Sequence, residues 1–314
     1  MAYLFVHFRE KITVDGEQVH FAVSKDGYNW EKLNDGKPVI TCDKGTGGCR
    51  DIEIVRLNEG GFVIIATDLC IVKHMDENYN VDWKKINSST SKYLSLWRSN
   101  DLVHFSGQEL IFMGRDDFGC LWAPEVCFDE ERKEYLIHWG STVKEDNFTH
   151  MAIYCATTKD FKSFSEPEML FQKKNEILDS HIVKHGDNYH LFYKNSSNPP
   201  MNMHSVSKDG IYGKYVHDSH FENYMATLES PGSYEAATTY ILPDGKWCLM
   251  LDFFGCEKEK MGYVPFISEK VGDAHFKIAK EKFTFPYGFK HGHAIEITDA
   301  EYERLKASFP NNED

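Results

Sequence analysis

The sequence predicts an all-β protein in which five four-stranded sheets form the blades of a propeller. Three observations predict this fold class: a strand pair that recurs five times, a strand-and-turn pattern that recurs between its copies, and the order of the two patterns. The second pattern comes first in the chain and the first pattern comes last. The N-terminal strands can therefore complete the blade that the C-terminus begins, which closes the ring and leaves no open edge.

The first pattern consists of a polar residue, an apolar strand, a short turn and an aromatic strand. Glycine or charged residues join the two strands, as they do in hairpins. Five copies in phase favour a ring over the alternative, a two-sheet sandwich whose repeats are coincidental. The copies begin, at spacings of 74, 54, 56 and 56 residues, at Asp51, Glu125, Asp179, Glu235 and His291.

The second pattern is a strand followed by Ser or Thr, a spacer residue, Asp and then an aromatic residue. An aspartate in this place is typical of a turn between two outer strands. The pattern is clear at 21–30, 96–105 and 154–164, weaker at 204–212 and degenerate at 266–276.

These repeats organise residues 1–314 as one domain, although the length alone suggests two. Residues 298–314 are predicted to be a short helical tail, because Thr298 precedes an acidic first turn. Residues 74–92 form an insertion that is too long for a hairpin turn. A mobile loop is the favoured interpretation of this insertion. The alternative is a rim that shapes a pocket or contacts another subunit.

Composition limits the partners and the compartment. The 49 acidic and 35 basic residues give a net charge of −14, which argues against nucleic acid and against an anionic membrane surface. No apolar run is long enough to span a membrane, and the N-terminus lacks the features of a secretory signal. Eight cysteines without CxxC spacing predict reduced thiols. We therefore expect a cytoplasmic protein, and a homo-oligomer is compatible with the sequence.

The five polar residues that open the first pattern are predicted to converge, because the first strand of each blade lines the central channel. Four carboxylates and a histidine are not a core composition. Crowded carboxylates shift one another's pKa, which separates proton donors from acceptors, and a pair of them suits glycoside hydrolysis. Aromatic residues make up 14% of the chain and supply faces on which sugars stack.

These residues resemble the family 43 glycoside hydrolases, and the likeness runs from Tyr3 to Ile297. The resemblance implies an inverting, exo-acting hydrolase that releases a terminal pentose, α-L-arabinofuranose or β-D-xylose, from small plant-derived oligosaccharides. It also implies a five-bladed propeller. The motifs that carry the resemblance are Arg50-Asp51, Trp122-Ala-Pro-Glu125, the strand of Asp179, Glu235, and Lys290-His291-Gly.

The resemblance further implies a role for each site residue. Asp51 would be the general base, and Glu235 the general acid, held protonated by its neighbours. Asp179 would orient that acid and tune its pKa, and Trp122 would stack on the sugar. His291 matches a histidine that in related enzymes helps to hold a structural calcium ion through water. No other cofactor is implied.

Arg50, Glu125 and His291 would complete the substrate contacts, with Arg50 also assisting the general base. An ion pair between Arg50 and Glu125 is the structural alternative. The chain departs from the family where Ile52 replaces the usual Pro, and where Ala236 and Ala237 replace the usual Gly-Pro.

Two other functions stay open because of these departures. One is a non-catalytic sugar-binding propeller. The other is a fructan- or sucrose-cleaving relative, which needs an Asn-Asp-Pro nucleophile near the N-terminus that residues 3–8 do not contain.

Overall fold

A computed structural model describes residues 1–9, 12–196, 200–228, 233–254, 261–286 and 288–312. The described residues form twenty strands and three short α-helices. The helices are α1 (Trp83–Ser89), α2 (Ser219–Met225) and α3 (Asp299–Ser308). The chain is therefore all-β in class, as predicted.

The largest sheet has eight strands and consists of two antiparallel halves that meet at one parallel pair, Gly292 with Ile52. One half contains β1 (Ala2–Arg9), β2 (His20–Ser24), β3 (Trp30–Lys32) and the last strand, β20 (Phe289–Ile297). The other half contains β4 (Arg50–Arg56), β5 (Phe62–Thr67), β6 (Tyr93–Ser99) and β7 (Glu109–Phe112).

Three further sheets have four antiparallel strands each. The first contains β8 (Trp122–Asp129), β9 (Glu134–Thr142), β10 (Met151–Thr158) and β11 (Glu168–Phe171). The second contains β12 (Ile177–His185), β13 (Asn188–Asn195), β14 (Met201–Ser207) and β15 (Val216–His217). The third contains β16 (Ser233–Ile241), β17 (Trp247–Phe254), β18 (Gly262–Ser268) and β19 (Lys277–Ile278).

The two ends of the chain share one four-stranded unit. Strand β1 pairs antiparallel with β20, from Ala2 opposite Ile297 to Arg9 opposite Phe289. The predicted completion of the last unit by the N-terminal strands is therefore confirmed. The first strands of the five units contact one another in the order β4, β8, β12, β16, β20 and again β4.

The core lies between the faces of neighbouring sheets. All six residues of β5 are buried, whereas both residues of the outermost strand β15 are exposed. Phe62 and Trp97 of one unit pack in the same cluster as Val6 and Phe21 of the next. Strands buried on both faces have continuous apolar runs, which is why β5 shows no alternation of apolar and polar residues.

The second sequence pattern forms the same turn in its clear copies. The Oδ1 atoms of Asp26, Asp101 and Asp160 each accept hydrogen bonds from the backbone N–H groups two and three residues later. This is the turn that aspartate stabilises between strands. The predicted position of these turns is confirmed.

The insertion and the tail each contain a helix. Residues 74–92 include α1, which begins after Asp82, whose side chain accepts a hydrogen bond from the Lys85 N–H. Helix α3 begins after Thr298, which forms a reciprocal capping box with Glu301.

Candidate active site

A β-bulge lies near the start of the first strand in four of the units. The pairing register shifts between Arg50 and Glu53, and at the equivalent places in β8, β12 and β16. One residue of each bulge has a left-handed backbone with φ between 51° and 54°: Asp51, Ala123, Asp179 and Ala236. Bulges redirect side chains at sheet ends. In the fifth unit the shift lies opposite His291, where Phe8 faces Lys290 and His7 faces Gly292.

The residues at these bulges and just before them line one pocket of about 500 Å³. Each of the five units contributes to it. From the first strands the pocket receives Arg50, Asp51, Trp122, Leu178, Asp179, Glu235, Lys290 and His291. The structure thus brings together every predicted site residue except Glu125.

Glu125 lies below the pocket, because the bulges place it two residues further along its strand than Asp51 or Asp179. It is 6% exposed, and its Oε2 lies 2.6 Å from His181 Nδ1. Its predicted contact with substrate is therefore wrong. The residues two positions after the bulge residues form a lower ring, consisting of Glu53, Glu125, His181, Thr238 and His293.

Asp51 is the most strongly ionised carboxylate of the pocket. Its Oδ2 accepts a hydrogen bond from Thr67 Oγ1 at 2.9 Å, and its Oδ1 lies 3.2 Å from His291 Nδ1. Burial raises the pKa of Asp51, but His291, Arg50 and Thr67 together lower it to about 2. A buried carboxylate that stays ionised is suited to accept a proton from water.

Among the carboxylates that line the pocket, Asp179 most readily keeps a proton. It is 5% exposed and lies 3.7 Å from Lys194 Nζ and 3.8 Å from His291 Nδ1. Burial, together with the charges of Glu235 and Asp51, raises its pKa to about 6 in spite of these two cations. Asp179 therefore titrates near neutral pH.

Glu235 differs from the expectation that its neighbours hold it protonated. Its Oε2 lies 2.5 Å from Lys194 Nζ. Burial raises its pKa, but the positive charges of Lys194 and Lys290 outweigh burial, and the pKa of Glu235 is lowered. The ligand-free pocket thus holds Glu235 as a carboxylate.

His291 is a cation in this arrangement. Burial lowers its pKa, but the carboxylates of Asp179 and Asp51 raise it to about 9. The predicted calcium site at His291 holds the ion through water and not through the imidazole itself, so the protonation of this ring does not test it. The calcium site stays a prediction.

Arg50 does not pair with Glu125. Its Nη1 donates a hydrogen bond to Glu17 Oε1 at 2.7 Å, and its guanidinium lies 4.2 Å from the centre of the Phe8 ring. The alternative of a structural pair with Glu125 is therefore wrong. Its charge still contributes to the low pKa of Asp51.

Two tryptophans form one wall of the pocket. Trp122 and Trp83 lie edge to face, with ring centres 6.3 Å apart. Trp83 belongs to α1, and Asn87 of the same helix also lines the pocket. The insertion at 74–92 thus shapes the pocket rim, which is the alternative interpretation of this segment and not the favoured one.

Three charged residues of this region were not predicted from the sequence. Lys194 lies on β13, opposite Leu178. Asp252 lies on β17 and accepts a hydrogen bond from Lys290 Nζ at 2.9 Å. Glu17 lies before β2 and binds Arg50. The sequence repeats predict pocket residues only on the first strands, whereas these three residues lie on neighbouring segments.

The pocket brings together carboxylates and cations from several sheets of an all-β chain. The chain belongs to the glycosyl hydrolase 43-related family, described as a probable glycosyl hydrolase domain, and the match covers residues 1–303. The resemblance found in the sequence is thereby confirmed.

One curated relative and two solved structures are similar to this chain. An α-L-arabinofuranosidase of Bifidobacterium longum subsp. longum is 28% identical over 189 residues, which cover 54% of this chain and 17% of the relative. The match thus spans less than a fifth of the relative's length.

The solved structures are similar in fold. The family 43 protein BlXynB from Bacillus licheniformis has a TM-score of 0.58 at 14% identity, covering 95% of this chain and 56% of that chain. An endo-arabinase from Bacteroides thetaiotaomicron has a TM-score of 0.53 at 14% identity, covering 83% of this chain and 99% of that chain. None of the helices formed by the described residues has the length and apolarity of a membrane span.

Proposed function

We propose that this chain is an inverting, exo-acting glycoside hydrolase that releases a terminal pentose, α-L-arabinofuranose or β-D-xylose, from small plant-derived oligosaccharides. The five units would form a closed five-bladed propeller around the pocket, an arrangement supported by the cyclic contacts of their first strands. The observation that carries the proposal is the convergence of Asp51, Asp179 and Glu235 on one pocket beside Trp122.

Asp51 acts as the general base in this proposal. Its low pKa keeps it ionised, so it can deprotonate a water molecule that attacks the anomeric carbon. Inversion requires about 6.5–9.5 Å between the base and the acid, to leave room for this water. Ion pairs connect Asp51 through His291, Asp179 and Lys194 to Glu235.

Glu235 acts as the general acid and donates a proton to the glycosidic oxygen as the bond to the leaving group breaks. It must first lose its ion pair with Lys194 and gain a proton. If substrate displaces Lys194, burial becomes the main influence on the pKa of Glu235. Burial raises this pKa and so favours the neutral acid. Asp179, with a pKa of about 6, is the adjacent group that shares this proton.

The pocket dimensions favour a short substrate. A volume of about 500 Å³ is in the range that holds a drug-sized ligand, which corresponds to a few sugar units. Trp122 and Trp83 offer ring faces and edges to the sugar. A cytoplasmic location would fit imported oligosaccharides, and the seven described cysteines are free; Cys256 lies outside the described residues.

A hydrolysis assay with matched variants tests the proposal. Aryl arabinofuranosides and xylosides, and the corresponding oligosaccharides, are incubated with wild type, Asp51→Asn and Glu235→Gln. We expect each variant to lose about 10²–10⁴-fold in kcat. Asp160→Asn, in a turn far from the pocket lining, is the control and should keep full activity.

NMR of the first product separates the mechanisms. Inversion of the anomeric centre supports the proposal, whereas retention contradicts the assignment of Asp51 as a base. Full activity of both variants, or inactivity of wild type on the whole panel, would overturn the hydrolase function.

A non-catalytic sugar-binding protein is the second candidate function. The observation that favours it is the ion pair between Lys194 and Glu235, which keeps the proposed acid ionised. Calorimetric binding of an oligosaccharide by wild type without any turnover would support this candidate over the hydrolase.

A further inference from the structure

The lower ring is a buried polar cluster that the proposed hydrolysis does not use. It contains two carboxylates, Glu53 and Glu125, and two imidazoles, His181 and His293. Glu53, Glu125 and His181 are each no more than 6% exposed, and the side chain of His293 is 14% exposed. Burial of so many ionisable groups is costly unless their charges are balanced.

The contacts within the lower ring orient the two imidazoles. Glu125 Oε2 lies 2.6 Å from His181 Nδ1, and the other ring nitrogen of His181 lies 2.9 Å from Thr239 Oγ1. His293 Nδ1 lies 2.7 Å from Glu53 Oε2.

The donor atoms are close enough to share one ion. Glu125, His181 and His293 each offer one ligand atom, and these atoms all lie within 4.8 Å of one another. Ligands at 2.0–2.2 Å from a metal lie about 3–4 Å apart. Glu125 Oε2 and His181 Nδ1 would therefore move apart from 2.6 Å, and the more distant donor atoms would move closer, to complete the coordination. Two imidazoles and one carboxylate form a ligand set that zinc and other divalent transition metals prefer.

The charges also suit a divalent cation. Burial raises the pKa of Glu125, so binding of an ion would release its proton. With both carboxylates ionised and both imidazoles neutral, the cluster would carry a charge of about −2, which one divalent ion would neutralise. A carboxylate beside a metal-binding imidazole, as Glu53 lies beside His293, fixes the ring and increases its basicity. Calcium would find too few oxygen ligands here.

We infer that the lower ring is a structural site for one divalent transition-metal ion, with zinc as the best-fitting ion. Glu125 lies on β8, His181 on β12 and His293 on β20, so the ion would join first strands from three different units. Glu53 on β4 and Thr239 on β16 support the ligands from the other two units. The site holds the five units together at the axis, and it does not depend on the hydrolase function.

Cobalt titration of the whole chain tests this inference. Protein stripped with a chelator and dialysed is titrated with Co²⁺, and the visible absorption of the ion is followed. We expect one Co²⁺ per chain with an absorption spectrum unlike that of the aqueous ion, and displacement by Zn²⁺. Zn²⁺ should raise the thermal unfolding midpoint by several degrees, whereas Ca²⁺ at the same concentration should not.

Two variants and one control locate the ion. His181→Gln and the isosteric Glu125→Gln should each weaken Co²⁺ binding at least about tenfold. His220→Gln is the matched control, because His220 lies on the surface beside Asp218 and His275 and offers an adventitious site. Its Co²⁺ affinity should equal that of wild type.

Three results would overturn the inference. They are no Co²⁺ bound at tenfold molar excess, unchanged affinity in a folded Glu125→Gln chain, and loss of binding in the His220→Gln control. Circular dichroism establishes folding of each chain before titration. If His181→Gln does not fold, Glu125→Gln still tests the inference, because Gln can hydrogen-bond His181.

Discussion

Lys194 Nζ lies between two carboxylates of the pocket, 2.5 Å from Glu235 Oε2 and 3.7 Å from Asp179 Oδ2. Both carboxylates lie at the bulges of neighbouring units: Asp179 is 5% exposed, and the side chains of Lys194 and Glu235 are 18% and 19% exposed. The cation favours the ionised form of Glu235, while Asp179 keeps a pKa of about 6. Lys194 therefore determines which of the two acids carries the proton.

Replacing Lys194 by Met should move the alkaline limb of the pH profile of kcat/KM to higher pH. The positive charge lowers the pKa of Glu235, so its removal raises the pH at which the acid loses its proton. A charge at this distance typically shifts a pKa by about 1–3 units. The profile of kcat/KM reports the pKa values of the free enzyme.

Lys184→Met is the control for this prediction, because Lys184 lies on the same unit as Lys194 and makes an exposed ion pair with Glu130 of the neighbouring unit. Its profile should match wild type. An unshifted alkaline limb in Lys194→Met would show that Lys194 does not set the protonation of the acid.

His291 should make stability depend on pH in the neutral to alkaline range. Its pKa in the folded chain is about 9, above the usual 6.5. The stabilisation from the protonated ring is therefore complete below about pH 6.5 and is lost as the pH rises to about 9. A shift of this size corresponds to on the order of 3 kcal/mol.

Urea unfolding of wild type and His291→Gln between pH 6 and pH 9 measures this effect. The free energy of unfolding of the variant should fall less over this range than that of wild type, and the part that remains comes from other groups with a raised pKa, such as Glu125 and His293. His104→Gln, at an exposed turn, should show the same fall as wild type. Equal pH dependence in wild type and His291→Gln would contradict the ion pairs assigned to His291.

The sequence was sufficient to predict the repeat of four-stranded units and the pairing of the chain ends, because hairpins and their turns leave local patterns. It was insufficient to predict where the bulge lies in the first strand of each unit. Glu125 and Asp51 both open a strand, yet the bulge begins two residues earlier in β8, so they lie at different depths. An alternation of polar residues two apart, as in Asp51–Glu53 and Asp179–His181, was the available signal for two layers.

Lys194 could not be predicted for a different reason. It lies on a second strand and reaches the pocket because it pairs with Leu178, next to the bulge at Asp179. Such a contact depends on the register between strands, which residue spacing along one strand does not contain. The error about the protonation of Glu235 follows directly from this missed cation.

Trp83→Ala should weaken substrate binding without destabilising the fold. The Trp83 side chain lines the pocket beside Trp122 and is 51% exposed, so its loss leaves no cavity in the core. An aromatic contact contributes about 0.5–1.5 kcal/mol. We expect KM to rise about 2- to 10-fold, with little change in kcat or in the thermal unfolding midpoint.

Tyr79→Ala is the matched control, since Tyr79 lies in the same insertion, is 67% exposed and does not line the pocket. KM and kcat of both variants are measured by steady-state kinetics and compared. An equal effect of the two substitutions on KM would mean that the insertion acts as a whole and that the tryptophan wall has no separate role.

Ala236→Gly should keep or raise stability, whereas Ala237→Gly should lower it. Ala236 has φ +54°, a left-handed conformation that costs an L-residue about 1–2 kcal/mol and glycine little. Ala237 is 1% exposed, does not have a positive φ and lies in the same bulge. Glycine there adds freedom to the unfolded chain and costs about 0.5–1 kcal/mol.

Chemical unfolding of Ala236→Gly, Ala237→Gly and wild type tests these opposite changes in stability. A loss of stability in Ala236→Gly as large as that in Ala237→Gly would mean that the bulge conformation of Ala236 carries no strain.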